Sequence, residues 1–206
     1  MAATCKSEPM VGGQFCAPQR TVFTLAKSHT LKGSGFKVTS SGDDAAVTTV
    51  ETTHIGFRNL RSLRFLDAAS GRQVIIEELG TGHLRSWESF RVNGTGGSDL
   101  HFVAVDKTCF FQMGLTVHVF LDGNVFCDRA PDFVVSGSYH FGAMTVSRGG
   151  GDGNNKDTAA TINRKGLVEN KYTVMINAGV DQAFVLALTV ILDQMYDARY
   201  CACYRH

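Results

Sequence analysis

The sequence has little proline, three residues in 206, only one tryptophan, and no long apolar run. A membrane-spanning helix needs about 20 mainly apolar residues to cross the hydrocarbon core. The most apolar segment, Ala183 to Leu192, offers ten, one of them Thr189, and Asp181 and Asp193 bracket it with charge. No transmembrane segment is therefore expected. A strong excess of one charge is also missing. Twenty Lys and Arg against 19 Asp and Glu leave a formal net charge of +1, so no global basic field favours nucleic acid. The opening residues MAATCKSEPM contain no apolar stretch of the signal-peptide kind. The expectation is a chain that is not secreted, sits in the cytoplasm, at a membrane periphery or in the nucleus, and keeps its six cysteines as thiols.

The local signatures of catalysis are absent too. There is no G-x-S-x-G elbow, no P-loop and no H-E-x-x-H helix. Gly33-Ser34-Gly35 and Gly80-Thr81-Gly82 are too short for a dinucleotide fingerprint and read as turns. Asp152 to Asp157 resembles a calcium loop only in part, because Lys156 occupies a ligand position and Asn163 stands where a bidentate Glu belongs. Cys201, Cys203 and His206 form a C-x-C-x-x-H tail without a second pair to complete a tetrahedral zinc site. The histidines at 29, 54, 83, 101, 118, 140 and 206 have no ligand spacing, and His101 and His118 read as partly buried strand residues. No catalytic residue, cofactor or metal site is expected.

What is present before residue 178 is a series of short runs rich in Val, Phe, Thr and Ile, separated by Gly, Asn, Asp and Ser. The runs at 21–26, 35–40, 45–51, 64–68, 73–79, 83–92, 100–105, 115–121, 132–137, 143–148, 158–163 and 172–176 predict twelve strands in an antiparallel all-β architecture. No linker interrupts them, so one domain over 1–206 is expected, with a core of about 14–196 and short flexible tails. The apolar segment after Gly179 predicts one helix of about 15 to 18 residues. Because it is apolar all round, protein should surround it, with Thr189 bonding the carbonyl of Val185 one turn back. A barrel of more than about eight strands leaves a lumen, and a helix with its side chains is about 10 to 12 Å across. The helix thus reads as the plug of a twelve-stranded closed barrel.

Two further features bear on binding. Trp87 and Phe90 are an odd number of residues apart in one strand, so they should lie on opposite faces and read as packing residues. Arg58, Arg61, Arg64 and Arg72 form the one arginine cluster, with Asp67 as the sole acid until Glu77. Guanidinium forks suit phosphate oxygens, which makes these four the candidate anionic-lipid residues. Strand alternation would separate them unless a turn intervenes. Lys27, Lys32 and Lys37 belong to a basic N-terminal stretch read as a solvated face and held as the second candidate.

Several stretches together resemble the LURP-one-related proteins of plants, part of the tubby C-terminal-like superfamily with the phospholipid scramblases. They are QFCAP (14–18), LRFLDAASGRQV (63–74), Trp87-x-x-Phe90 followed by Arg91, DFVVSGSY (132–139) and NAGVDQAFVLALTVILDQM (177–195). The family's usual proline and tyrosine are replaced by Ala178 and Gln182, and 122–131 and 148–156 look longer than is typical. The resemblance implies a barrel around a buried C-terminal helix. It also implies a non-enzymatic binding or signalling module linked to plant defence, tethered weakly to anionic phospholipid or phosphoinositide and working with an unidentified protein partner. The alternative class is an enzyme or carrier that holds a small apolar ligand in the barrel interior, the space that the helix would fill.

Overall fold

The computed structural model describes residues 15–30, 33–40, 43–55, 60–67, 73–82, 86–92, 98–108, 114–121, 130–138, 142–149, 157–165 and 171–203. The chain forms an antiparallel all-β sheet followed by one C-terminal helix. The strands are β1 (Thr21–Thr30), β2 (Gly33–Ser40), β3 (Asp43–Ile55), β4 (Leu60–Asp67), β5 (Gln73–Gly82) and β6 (Ser86–Val92), then β7 (Ser98–Asp106), β8 (Leu115–Leu121), β9 (Phe133–Ser138), β10 (Ala143–Arg148), β11 (Thr158–Lys165) and β12 (Lys171–Ile176). Each pairs with its sequence neighbours, and β1 pairs with β12 on one side and β2 on the other.

The strands take this form because apolar residues alternate with polar ones. In β12, Tyr172, Val174 and Ile176 are buried, while Thr173 and Met175 between them are partly open. In β8, Leu115, Val117 and Val119 point the same way as each other and are likewise buried. These inner residues join Phe23 and Leu25 of β1, Phe36 and Val38 of β2, and Ile162 of β11 in a single core with the helix.

Helix α1 runs from Gln182 to Cys203. It is 22 residues long, longer than the expected 15 to 18. The backbone is helical through the stretch that reads as a flexible tail, as far as Cys203. Every residue from Ala183 to Tyr196 is buried. Fourteen consecutive positions cover all sides of a helix several times over, so no side of this stretch faces water. Thr189 Oγ1 donates to the Val185 carbonyl at 2.8 Å, so the one hydroxyl of the apolar run is satisfied within the helix.

The helix entry is built by two segments distant in sequence. Gly179, at φ 72°, takes the left-handed turn that leads off β12, and its N–H donates to the Ala17 carbonyl at 2.9 Å. Cys16 bridges Asp181, and the carboxylate of Asp181 caps the helix by accepting the N–H groups of Ala183 and Phe184 at 3.0 and 3.2 Å. Gln182 donates through Nε2 to Thr21 Oγ1 at 3.0 Å and so ties the first helical residue to β1. Ala178 is exposed in the turn.

Candidate functional site

The most concentrated polar chemistry among the described residues lies beside the second half of α1. Asp193 is 2% exposed, in a position that burial alone would make costly for a carboxylate. Both its oxygens are used. Lys27 of β1 approaches Oδ2 at 2.7 Å with its own side chain 7% exposed, and Tyr172 of β12 donates its hydroxyl to Oδ1 at 2.6 Å. Beside them the Arg164 guanidinium of β11 stands 4.3 Å from the Tyr196 ring centroid and 5.8 Å from that of Tyr172. Arginine over an aromatic face gains from the ring quadrupole. One turn of helix is thereby tied to three strands.

This group corrects one reading of the sequence. Lys27 does not belong to a solvated basic face. It is drawn inward, paired with the helix, and is not available to a membrane. Two basic residues beside the helix, Lys27 and Arg164, carried no sequence signal for their place there. The signal lay instead in Asp193, a carboxylate directly after an apolar run, which needs a cation if the helix continues past it.

Towards the helix start the surroundings are aromatic. Phe184 packs edge-on against Phe102 of β7 at 5.3 Å between centroids and obliquely against Phe133 of β9 at 5.0 Å. Such pairs prefer tilted and edge-to-face geometry. Trp87 packs against the same core, and two residues on Ser89 is fully buried. The β6–β7 register shifts between Ser89 and Phe90, so simple alternation no longer relates Trp87 to Phe90. The side chain of Phe90 lies outside the described residues.

The four candidate arginines fall as follows. Arg61 and Arg64 are both in β4, opposite His54 and Glu51 of β3. The β4 register is regular between them, so they occupy positions of opposite face. Arg58 and Arg72 lie outside the described residues. So does 150–156, which contains most of the calcium-like loop; Asp157 pairs with Arg148 at 3.5 Å. Among the described residues no group of three His, Cys, Asp or Glu could hold a metal, and no helix is long and apolar enough to cross a membrane. Cys201 and Cys203 lie on the last turn of α1 and His206 outside the described residues. His101 lies in β7 beside Phe102, and His118 in β8 beside Phe120, both as strand residues. Burial, then the charge of Lys107, lowers the pKa of His118 below its ordinary value.

The family model for LURP-one-related proteins matches residues 21–193, from the first residue of β1 to the buried carboxylate. The chain belongs to that family. Protein LURP-one-related 15 of Arabidopsis thaliana is 27% identical, the match covering 91% of this chain and 88% of that protein. Protein LURP1 of the same plant is 24% identical, over 93% of this chain and 91% of its own length. No solved structure matches. The family match thus takes in β1 to β12 and stops at Asp193 within α1.

Proposed function

We propose that the protein is a non-enzymatic binding module of tubby-like form, with its twelve strands closed around α1, and that it works through its outer surface. The observation that carries this reading is the unbroken burial of Ala183 to Tyr196. Val185, Ala187, Leu188, Val190, Ile191 and Leu192 are all fully enclosed, so the space in which a carrier or enzyme of this shape would hold a ligand is taken by the chain's own helix. The pairing of β1 with both β12 and β2 supports closure. The carboxylate beside the helix has both oxygens engaged by Lys27 and Tyr172, an arrangement suited to holding the helix and not to moving protons to a substrate.

The setting that family membership suggests is plant-defence signalling, with peripheral contact to anionic phospholipid or phosphoinositide and a protein partner. Arg58, Arg61, Arg64 and Arg72 are the arginines first considered for the lipid contact. At about 1 kcal/mol for each basic residue near an anionic surface, four supply at most about 4 kcal/mol, a millimolar affinity. Opposite-face placement of Arg61 and Arg64 lowers that ceiling.

The test is to purify the chain under denaturing conditions, refold it with no ligand present, and compare it with natively purified protein by native mass spectrometry and thermal melting. The two samples should have the mass of the polypeptide alone and the same melting temperature. A small molecule that co-purifies inside the native sample and raises its melting temperature defeats the reading in favour of a carrier or enzyme.

A further inference from the structure

Every aspartate and glutamate of the strands lies in β3 to β7. The other strands are contiguous in the pairing order, from β2 through β1 and β12 down to β8, and hold none. They carry instead Lys27, Lys37, Arg148, Arg164, Lys165 and Lys171. The sheet therefore has a carboxylate-free basic sector beside an acidic one, which the near-zero net charge conceals.

Within the basic sector the register sets three lysines in one line. Lys165 lies opposite Lys171, Lys171 opposite Ala26, and Ala26 opposite Lys37. Directly opposed residues share a face, with Cβ atoms about 4.5–5.5 Å apart. The adjacent positions Tyr172, Leu25 and Val38 are buried, so this line is on the outer face, and Lys37, Lys165 and Lys171 are all exposed. The next outer line along the same strands is Asn163, Thr173, Thr24 and Thr39, all hydrogen-bonding side chains.

We propose that this lysine line across β11, β12, β1 and β2 is the face that the protein lays against an anionic lipid bilayer. The inference rests on the reading of the protein as an outer-surface binding module and relocates its lipid contact from the arginines of β4. Three features favour a bilayer over a macromolecule of fixed shape. The charges are ammonium groups on flexible stems, which meet mobile headgroup phosphates without needing bidentate geometry. The line and its neighbour offer no aromatic or large aliphatic anchor of the kind that carries protein–protein affinity. They offer no aromatic platform for stacking bases either. The strand carboxylates all lie in β3 to β7, with Glu51 of β3 beside the β2 end of the line, so the strands carry a charge polarity that would orient them on an anionic surface.

The experiment is co-sedimentation of the full chain with phosphatidylcholine vesicles, with and without phosphatidylserine. The parent is compared with Lys37→Gln/Lys165→Gln and with Arg61→Gln/Arg64→Gln, which remove equal charge. The parent should bind only the phosphatidylserine vesicles, and less as salt rises. The lysine pair should lower the partition coefficient about 25-fold, at about fivefold for each basic residue. The arginine pair should leave binding unchanged, and the lysine variant should keep the parent's melting temperature, since exposed cations contribute little to folding. Undiminished binding by the lysine variant, or equal loss in both variants, overturns the assignment of this face while leaving the module reading intact. A parent that binds neither vesicle, or that binds polyglutamate but not phosphatidylserine vesicles, removes the bilayer as the partner altogether.

Discussion

Lys27 and Asp193, 166 positions apart in the chain, meet at 2.7 Å inside the protein, and their pairing ties β1 to the middle of the C-terminal helix. Tyr172 completes the carboxylate's partners from the strand next to β1. The pair allows α1 to remain buried past the end of its apolar run.

Breaking that pair from one side should be costly. Lys27→Met leaves a buried carboxylate with one donor, and Asp193→Leu leaves a buried ammonium, so each should lose about 3–5 kcal/mol in urea denaturation. The double variant Lys27→Met/Asp193→Leu should be less destabilised than the sum of the two. Single variants within about 1 kcal/mol of the parent would mean that water reaches the pair.

Leu188 is fully enclosed at the centre of the buried stretch. Leu188→Ala should cost about 2–5 kcal/mol through lost burial and the cavity left behind. Leu188→Asp should prevent stable folding, because an uncompensated interior carboxylate costs several kcal/mol out of a total of about 5–15. A soluble Leu188→Asp protein with a cooperative melt would contradict the burial of the helix.

The cap at Asp181 can be tested by chemistry. Asp181→Ala removes the acceptor for the Ala183 and Phe184 N–H groups and should lower stability by about 0.5–2 kcal/mol. Asp181→Asn keeps an oxygen at the same place and should retain most of it, as chemical denaturation of the three proteins side by side will show.

His118 sets a pH dependence of known sign. Burial first, and Lys107 second, hold its folded pKa below the ordinary histidine value, so the native protein prefers the neutral ring. Its contribution is fully present above the unfolded pKa and is lost as pH falls through the folded one. The melting temperature should therefore drop between neutral pH and about pH 5, and His118→Gln should flatten part of that slope. An identical slope in the variant would assign the effect to other groups.

Strand existence was legible throughout, because alternation of apolar and polar residues with Gly, Asn and Asp breaks is a local signal. Strand ends were less so. β1 continues from Ala26 to Thr30 through Lys27, Ser28 and His29, which show no apolar alternation and are held by pairing with Lys37 to Gly33 of β2. β4 begins at Leu60 rather than Arg64 for the same reason, its first residues pairing with Ile55 back to Thr52. The helix was expected to span about 15 to 18 residues and runs for 22. It stays buried past Asp193 because Lys27 and Tyr172 satisfy that carboxylate.

The sequence by itself determined the antiparallel all-β class and the enclosure of the last helix, since each rests on periodicity or on polarity within a short stretch of the chain. Tertiary structure decided which cations go inside and which line up outside. Lys27 and Lys37 read alike as lysines of one basic stretch, yet one is buried against Asp193 and the other stands exposed in line with Lys165 and Lys171. Their separation follows from register: Lys27 lies opposite the buried Phe36 and Lys37 opposite Ala26, so the two lysines take opposite faces, and the inner one meets a carboxylate 166 positions away. A change of one residue in that register would exchange the two faces.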